Sequence, residues 1–466
     1  MGGFKRVAGV AVAALLSGLV SGLAASPVLA ETIDAALVRA YQTNPQLNAQ
    51  RAQVRATDET VPQALSGYRP KVAVTASAGY QYSDVTSASV GGAQRIHGTQ
   101  VPRSVGITGT QMIYDGQQTA NRTRAAEGQV SAAREGLRVL EQSVLLAAST
   151  IYMDYLRDAA IVEVQRSNVR VLEQTLKQTR DRFNVGEVTR TDVAQSEAQL
   201  AAGKTQQLAA EATLNATRSN YRRIIGNEPG QLAPGSPVDR FLPTTQAGAV
   251  NLALVENPNV TAAMFGIDIS HLQVKVAEGA LFPTVSLQVG AQQAYEQQIS
   301  VPRQFVASAI AQVSVPIYQG GVEYALIRQS KETLAQQRLA LEQVRDQTRA
   351  TVVQNWGQLQ AAKSQVASAQ AQVQASEIAL NGVREEAKAG QRTTLDVLNA
   401  QQALVNARVA LVTAQHDRVV ASYAVLNAVG RLSPQVLKLR TEIYDPSVHY
   451  HQVRDSWGGV RTPDGR

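Results

Sequence analysis

One segment of the chain occurs twice, at positions 183 and 387. The stretch FNVGEVTRTDVAQSEAQL, residues 183–200, returns as AKAGQRTTLDVLNAQQAL, residues 387–404. Gly186 and Gly390 occupy the same position in the two copies, and an aspartate follows each glycine six residues later. A chain that repeats itself over so long a period is built from two copies of one structural unit, so its fold must contain that unit twice.

Shorter motifs extend the repeat over most of the chain. NPQL at 44–47 returns as NPNV at 257–260, and IYDG at 113–116 returns as IYQG at 317–320. The copies differ in length only between these two motifs, where a loop can vary at little cost in free energy. The sequence predicts a first repeat at 31–243, a second at 247–434 and a tail at 435–466, with a Pro- and Gly-rich linker at 226–243.

Residues 1–30 have the features of a secretory signal peptide. A basic start with Lys5 and Arg6 precedes an apolar stretch, and the small residue Ala30 precedes Glu31. A transmembrane anchor is the alternative, but glycines and serines interrupt the apolar stretch. The chain has no cysteine, so we expect neither a lipid on cysteine nor a disulfide. No later stretch has the roughly 18 apolar residues of a membrane helix. Together with the signal peptide, this predicts an exported protein without a helical route across a membrane.

The composition argues against nucleic-acid binding and against catalysis. The net charge of +7 falls to +5 without Lys5 and Arg6, and no basic run with interleaved aromatics occurs. We find no nucleophile beside a base, no phosphate-binding loop and no zinc-ligand spacing. His449 and His451 form the one close histidine pair, but no third ligand accompanies them, and a packing role is the simpler interpretation. We therefore predict no enzymatic activity, no cofactor and no metal site.

Each repeat contains two stretches in which polar and apolar residues alternate. They are KVAVTASAGYQY (71–82) and SVGITGTQMIY (104–114) in the first repeat, and TVSLQVGAQQ (284–293) and QFVASAIAQVSVPIY (304–318) in the second. Alternation over about ten residues is typical of a β-strand, and about 9–11 residues span an outer-membrane-type bilayer. We therefore predict four membrane strands per chain, after a short helix near 32–66 or 247–279.

A long helical hairpin is predicted after each strand pair. The segment 118–185 has no proline, and its apolar residues recur at spacings of three and four from Val130 to Ile151, with a stutter near Tyr155. This spacing is typical of a coiled-coil seam, and 323–389 shows it again. Helices at 190–225 and 394–429 are predicted to run back after the glycine turns. The predicted fold class is mainly α with membrane β.

Four strands cannot close a barrel by themselves. Each unpaired backbone group at an open sheet edge costs several kcal/mol in hydrocarbon, so other copies of the chain must complete the sheet. Two copies would give eight strands and a bore that side chains nearly fill, whereas three give twelve strands and leave room for passage. We predict a homotrimer whose lipid-facing twelve-stranded barrel continues as a coiled-coil tunnel of helices. A soluble coiled-coil protein with two helix-covered β-hairpins is the alternative.

The mature chain resembles the TolC family of outer-membrane efflux and type I secretion channels. The resemblance rests on the duplicated strand–hairpin unit and on the turns VGEVTRTD (185–192) and AGQRTTLD (389–396). The ending YDPSVHYHQVRDSW (444–457) is also similar to the tail of members that serve type I secretion. The resemblance implies a trimer in the outer membrane of a two-membrane bacterium. It also implies two partners, a periplasmic adaptor (membrane fusion) protein and an inner-membrane ABC or proton-driven transporter.

The resemblance assigns a role to the two glycine turns, which are the tips of the two helical hairpins. In the family, these turns dock the helical hairpins of the adaptor. The corresponding residues here are Val185, Gly186, Glu187 and Val188 in the first repeat, and Ala389, Gly390, Gln391 and Arg392 in the second. Small residues at a turn permit the close approach of a partner helix, and glycine readily adopts the positive φ of a helix end.

The two aspartates have two interpretations. Thr189-x-x-Asp192 and Thr393-x-x-Asp396 each match a capping box. In this motif the threonine side chain caps the helix, and the acid in the first turn accepts a hydrogen bond from the backbone N–H of the threonine. The resemblance instead implies a periplasmic gate. In that gate Asp396 matches a constricting acid, while Arg392 and Asp192 match members of a bond network that holds the helices shut.

Two positions depart from the family's gate. Asn399 stands where a second ring of acids is expected, and Ala387 stands where a tyrosine of the closing network is expected. Both differences predict a weaker closed state or a lower selectivity for cations.

The implied function is an exit duct that passes proteins, drugs or small molecules from an inner-membrane pump to the exterior. The alternative is a structural protein, either a trimeric coiled-coil adhesin or a periplasmic adaptor without a pore of its own. An adaptor would carry one hairpin inserted into a small β-domain, and an adhesin would have strands at one end only. The cargo itself is not encoded in a wide tube without a pocket, although the tail favours protein secretion, with drugs and small molecules close behind.

Overall fold

A computed structural model of the chain describes residues 30–89, 92–299 and 301–465. The predicted signal peptide lies outside these residues except for Ala30. None of the helices in these ranges combines the length with the apolar character that crossing a lipid bilayer requires.

Both repeats run from short helices through strands to a long helix and a return helix, and the first has one more short helix and two more strands than the second. The first contains α1 (Ile33–Thr43), α2 (Pro45–Asp58), α3 (Thr60–Leu65), β1 (Lys71–Ala78), β2 (Gln81–Ser89), β3 (Gly92–Gln100), β4 (Arg103–Tyr114), α4 (Gln118–Asn184) and α5 (Arg190–Ile225). The second contains α6 (Gln246–Glu256), α7 (Pro258–Gly279), β5 (Thr284–Gln298), β6 (Val301–Ser314), α8 (Val322–Lys388) and α9 (Thr394–Val429). A short helix, α10 (Ser447–Val453), lies in the tail. The predicted class, duplicated strand pairs with long helical hairpins, is confirmed.

The hairpin helices α4 and α8 each have 67 residues. At a rise of about 1.5 Å per residue, each is on the order of 100 Å long. At the predicted seam of α4, every second residue is buried and those between them are half-buried. The buried residues are Val130, Leu137, Val144 and Ile151. Burial of this stripe packs α4 against its neighbours along most of its length, so the spacing of apolar residues accounts for the hairpin.

The stutter predicted in the middle of α4 coincides with a buried polar cluster. Oδ1 of Asp154 lies 2.9 Å from Nε2 of His416 on α9. Arg157 forms ion pairs with Asp154 and with Asp158, and the hydroxyl of Thr217 on α5 donates a hydrogen bond of 2.6 Å to Asp158. Three helices therefore meet here through charged and polar groups, where the apolar spacing is interrupted.

The strands form one four-stranded antiparallel sheet in the order β1-β4-β5-β6, and β2 and β3 form a separate ribbon. The pairing of β4 with β5 joins the first repeat to the second. Within the described part of the chain, β1 and β6 each have a strand partner on one side only. Every side chain of β1 is exposed. One copy of the chain therefore has two free sheet edges.

Three predicted strands have different bounds in the structure. The strand predicted at 71–82 is divided, because β1 ends at Ala78 and the chain continues into the β2–β3 ribbon. The ribbon was not predicted because its residues are mostly polar and show no alternation of polar and apolar residues. The strand predicted at 284–293 runs on to Gln298. The strand predicted at 304–318 is 301–314 instead, because Pro316 has no N–H to donate to a ladder.

The short helix predicted at the start of each repeat is interrupted. The segment 32–66 forms three helices, and 247–279 forms two. The breaks at Asn44 and Asn257 precede prolines, which occupy the first position of the next helix, where no N–H is needed.

These two asparagines explain the repeated NP motif. Oδ1 of Asn257 accepts a hydrogen bond of 2.9 Å from the backbone of Asn259, and its Nδ2 donates one of 2.9 Å to the carbonyl of Ala428 near the end of α9. Asn44 caps α2 in the same way, and its amide donates to Ile224 of α5 at 3.4 Å. Each asparagine therefore ties a short helix to the return helix of its own repeat.

The tail packs against the first repeat. Leu432, Leu437 and Leu439 join the main apolar core, which contains residues of α1, α2, α4, α5 and α9. Further on, Nδ1 of His449 lies 3.0 Å from Oδ2 of the buried Asp58. His449 therefore has a packing role, and His451 is exposed.

Replacing Asn257 with alanine should lower the midpoint of thermal unfolding, followed by helical circular dichroism. The substitution removes a helix cap and leaves the Ala428 carbonyl without its donor, which together cost about 1–3 kcal/mol. Asn259→Ala, at an exposed position of the same helix, is the matched control and should leave the midpoint unchanged. An unchanged midpoint for Asn257→Ala would contradict the assigned role.

Candidate functional site at the hairpin tips

The first tip is the five-residue turn between α4 and α5. Gly186 has a φ of +82°. The N–H of Glu187 donates to the carbonyl of Arg182 at 2.9 Å, and that of Gly186 donates to Phe183 at 3.0 Å. This is the Schellman pattern, in which a left-handed residue closes the end of a helix. A Cβ at Gly186 would meet no atom within 4 Å, so the glycine is needed for its backbone conformation and not for space.

The second tip has the same geometry. Gly390 has a φ of +78°, and the N–H of Gln391 donates to the carbonyl of Glu386 at 2.9 Å. The turn residues 185–187 and 389–392 are exposed, with Val185 at 71 %, while Val188 is half-buried. The chain therefore presents two similar, exposed turns at the far ends of its hairpins.

A complete capping box follows each tip. Oδ2 of Asp192 accepts hydrogen bonds from the backbone N–H of Thr189 at 2.9 Å and from its hydroxyl at 2.6 Å, while Thr189 Oγ1 caps the N–H of Asp192 at 3.3 Å. Asp396 and Thr393 repeat the arrangement at 3.0, 2.9 and 3.2 Å. The local structure of both acids is therefore that of a helix cap.

The caps hold both carboxylates in the charged form. The hydroxyl of Thr189 lowers the pKa of Asp192, and the backbone N–H of Thr393 lowers the pKa of Asp396. A lowered pKa means that the cap keeps its strength above the ordinary aspartate pKa of about 3.9 and loses it as the pH falls through the folded value. Both acids are therefore anionic at neutral pH.

Each tip also contains an ion pair. Nε of Arg392 lies 2.8 Å from Oε2 of Glu386, a contact that raises the pKa of the arginine, and Arg182 pairs with Glu187 at 3.0 Å on the other tip. Within the described ranges of one copy, Arg392 and Asp192 share no hydrogen bond or ion pair with each other. The structure thus places the two candidate network members on different hairpins, each with partners of its own.

The other two gate positions carry no charge. Asn399 is exposed on the first turns of α9, and Ala387 is half-buried near the end of α8. Neither side chain can therefore supply the acid or the phenol hydroxyl that the family's gate would have at that place.

Amide groups behind the tips connect the hairpins to each other. Nε2 of Gln199 on α5 donates to Oε1 of Gln402 on α9 at 3.1 Å. Gln401 accepts a hydrogen bond from Arg384 at 3.0 Å and donates one of 3.4 Å to the buried Asn168 on α4. Sequence reasoning missed these residues, although polar side chains inside an apolar seam were a visible signal.

The sequence matches a known protein family in two stretches. The family model described as outer membrane efflux protein matches residues 36–227 and 249–431. Outer membrane efflux protein BepC of Brucella suis is 42 % identical over 98 % of this chain and 97 % of its own. Outer membrane protein TolC of Vibrio cholerae is 25 % identical over 89 % and 94 %, and alkaline protease secretion protein AprF of Pseudomonas aeruginosa is 23 % identical over 81 % and 80 %.

Solved structures share the fold. The outer membrane channel CmeC of Campylobacter jejuni superposes with a TM-score of 0.76 at 15 % identity, over 91 % of this chain and 89 % of its own. The outer membrane protein VceC of Vibrio cholerae gives a TM-score of 0.73 at 18 % identity, over 85 % and 96 %. At these identities the superpositions establish the architecture alone.

Replacing Thr393 with alanine should speed hydrogen exchange of the backbone amides at 394–398. Loss of a threonine cap frays the first turn of α9, and we expect exchange to rise about three- to tenfold at neutral pH. Thr393→Ser keeps the hydroxyl and should exchange like the native chain. Equal exchange in the alanine variant would show that the cap does not hold the tip.

Proposed function

The chain belongs to the outer membrane efflux protein family, and we propose that three copies of it form one channel that meets a periplasmic adaptor. As a member of the family, the protein is an exit duct in the outer membrane. The family also implies that an adaptor and an inner-membrane transporter complete the export system.

The free edges of β1 and β6 support the trimer. Each edge carries a row of unpaired backbone N–H and C=O groups, which hydrocarbon cannot satisfy. If β6 of one copy pairs with β1 of the next, three copies close a ring of twelve strands around a bore wide enough for passage. In this assembly the repeats 31–243 and 247–434 alternate around the axis, and the long hairpins continue the barrel into the periplasm.

The tips are the proposed docking sites for the adaptor. A trimer presents six of these turns, three of each kind. The residues that would contact the adaptor are Val185, Gly186, Glu187 and Val188 on one kind, and Ala389, Gly390, Gln391 and Arg392 on the other. All of these residues except the half-buried Val188 are exposed, and no atom lies within 4 Å of where a Cβ would stand at either glycine, which leaves room for a partner helix.

Asp192, Arg392, Asp396 and Asn399 are the proposed gate positions. In one copy Arg392 is held by Glu386 on its own tip, so a latch between hairpins requires that arginine to exchange partners. Charge-assisted hydrogen bonds are roughly twice as strong as neutral ones, and such an exchange could hold the mouth closed. With Asn399 and Ala387 contributing neither acid nor phenol, we propose a closed state with fewer bonds than the family pattern has.

The names of two relatives, BepC and AprF, point to different cargoes. BepC is named for efflux and AprF for secretion of an alkaline protease. We propose that this duct serves small molecules and proteins alike, with selection made by the inner-membrane transporter, since the wide tube offers no binding pocket.

A deletion strain tests the cargo assignment. We expect the strain to become sensitive to drugs and to lose at least one protein from the culture medium, as judged by growth inhibition and by mass spectrometry of the medium. Complementation with the native gene should restore both phenotypes. A strain that keeps its drug resistance and its secreted proteins would contradict the assignment.

Arg392→Ala should raise the conductance of single purified channels in planar lipid bilayers, because it removes the charged hydrogen-bond donor of the proposed contact between hairpins. Arg182→Ala is the matched control, since it removes the equivalent ion pair from the other tip while all four proposed gate residues are kept. We expect native conductance for the control. An unchanged conductance in Arg392→Ala would remove this residue from the gate.

A further inference from the structure

We propose that the C-terminal tail of one copy fastens the seam to the next copy by placing Trp457 against Ile317 and Tyr318 of that neighbour. The inference rests on the trimer of the proposed function. It concerns the periplasmic end of the barrel, far from the hairpin tips.

The seam inside one chain shows how the strands of two repeats meet. Where β4 pairs with β5, Thr110 lies opposite Gln288 and Tyr114 lies opposite Val285. The same junction recurs between copies, because β6 is the counterpart of β4 and β1 is the counterpart of β5. The internal seam is therefore a template for the seam between two copies.

The template fixes the register between copies. Ser314 is the counterpart of Thr110, and Thr75 is the counterpart of Gln288. Ser314 of one copy should thus lie opposite Thr75 of the next, and Tyr318 should lie beside Val72 at the periplasmic end of the strands. This register directs the residues that follow β6 toward the residues that precede β1 in the neighbouring copy.

Apolar groups at the outer seam are more exposed than their counterparts at the inner seam, where Ile113 is 61 % and Tyr114 is 41 % exposed. In the inner seam Gly116 is buried, and a Cβ added there would lie 2.3 Å from the carbonyl oxygen of Gly279. Its counterpart Gly320 has no atom within 4 Å of that position. Ile317 and Tyr318 are 87 % and 73 % exposed in one copy. The outer seam therefore has an apolar surface that a neighbouring copy can cover.

The tail reaches this seam from the other side. Arg69, two residues before β1, donates a hydrogen bond of 2.5 Å from Nη1 to the carbonyl of Ser456. Its guanidinium lies 4.8 Å from the ring centroid of Trp457, whose side chain is 74 % exposed. Because Arg69 stands at the base of the free edge strand, the indole stands where β6 of the next copy should end.

The tail cannot easily leave this position. Nη2 of Arg454 lies 3.2 Å from Glu127 on α4, and His449 contacts the buried Asp58 on α2. These contacts hold the tail against the first repeat a few residues before the tryptophan. The exposed aromatic group is therefore presented at the seam by a fixed segment.

A tryptophan at this level could instead face lipid, as aromatic residues do at membrane interfaces. We favour the neighbouring copy because the register brings an exposed aromatic ring, Tyr318, to the same end of the same strand edge. Two aromatic rings brought together there would pack favourably, and the guanidinium of Arg69 already makes a cation–π contact with the indole within one copy.

Engineered cysteines test the contact, since the native chain has none. The variant Trp457→Cys with Tyr318→Cys is treated in native outer membranes with a short bismaleimide. Covalent dimers and trimers should form in this double variant and in neither single variant. Ser314→Cys with Thr75→Cys is the seam control, because residues opposite each other in antiparallel strands lie within disulfide reach.

The outcomes separate the tail contact from the trimer itself. If the seam control crosslinks and the tail pair does not, the tryptophan contacts something else, such as lipid, and the inference is overturned while the trimer stands. If neither pair crosslinks and the protein has the mass of one copy, the proposed trimer fails as well. If neither pair crosslinks in a protein with the mass of three copies, the register is wrong and the inference is overturned.

A second readout does not depend on crosslinking. Trp457→Ala should lower the temperature at which the trimer dissociates in sodium dodecyl sulfate, whereas Trp457→Phe keeps a ring and should dissociate close to the native temperature. An alanine variant that dissociates with the native protein would overturn the inference.

Discussion

Unpaired backbone groups at the two edges of a four-stranded sheet are the constraint on which the rest of this structure depends. A soluble sheet can leave such groups to water, but a sheet in hydrocarbon must pair them. The chain provides strands β1 and β6 as open edges and repeats its own unit so that each edge matches the other. In the proposed assembly this match lets copies of the chain close a ring, and the bore of that ring would be the path of transport.

The long hairpins extend the same repeat away from the sheet. Each begins directly after the last strand of its repeat, so in the proposed trimer the order of strands around the barrel would also set the order of helices around the tunnel. Buried apolar stripes hold the helices together, and a polar cluster around Asp154 and His416 takes over where the stripe is interrupted. The tips then carry small, exposed turns whose shape is fixed by two glycines and two capping boxes.

Much of the fold could be predicted because its signals are local and occur twice. The spacing of apolar residues gave the helices of the hairpins to within a residue or two, and the Thr-x-x-Asp motif gave both caps. The β2–β3 ribbon could not be found in this way, because its residues are mostly polar on both faces. The break at Asn257 has a local signal in the proline that follows it, but the contact of Asn257 with the Ala428 carbonyl, 171 residues away, depends on tertiary packing and could not be predicted.

The candidate site was only partly accessible to sequence reasoning. The tips and their acids are contiguous motifs, so they could be recognised. The ion pair between Arg392 and Glu386 and the amide contacts of Gln401 depend on how helices turn and pack, which the spacing of residues does not specify. The proposed gate would join residues of more than one copy, so its contacts depend on an assembly that residue spacing within one chain does not describe.

Native mass spectrometry of the protein extracted from the outer membrane in mild detergent tests the central claim most directly. Closure of the sheet by pairing of β6 with β1 predicts one species that contains three copies of the mature chain. A species of one copy would leave both edges open, and a species of two would leave no adequate bore. Either result would contradict this account.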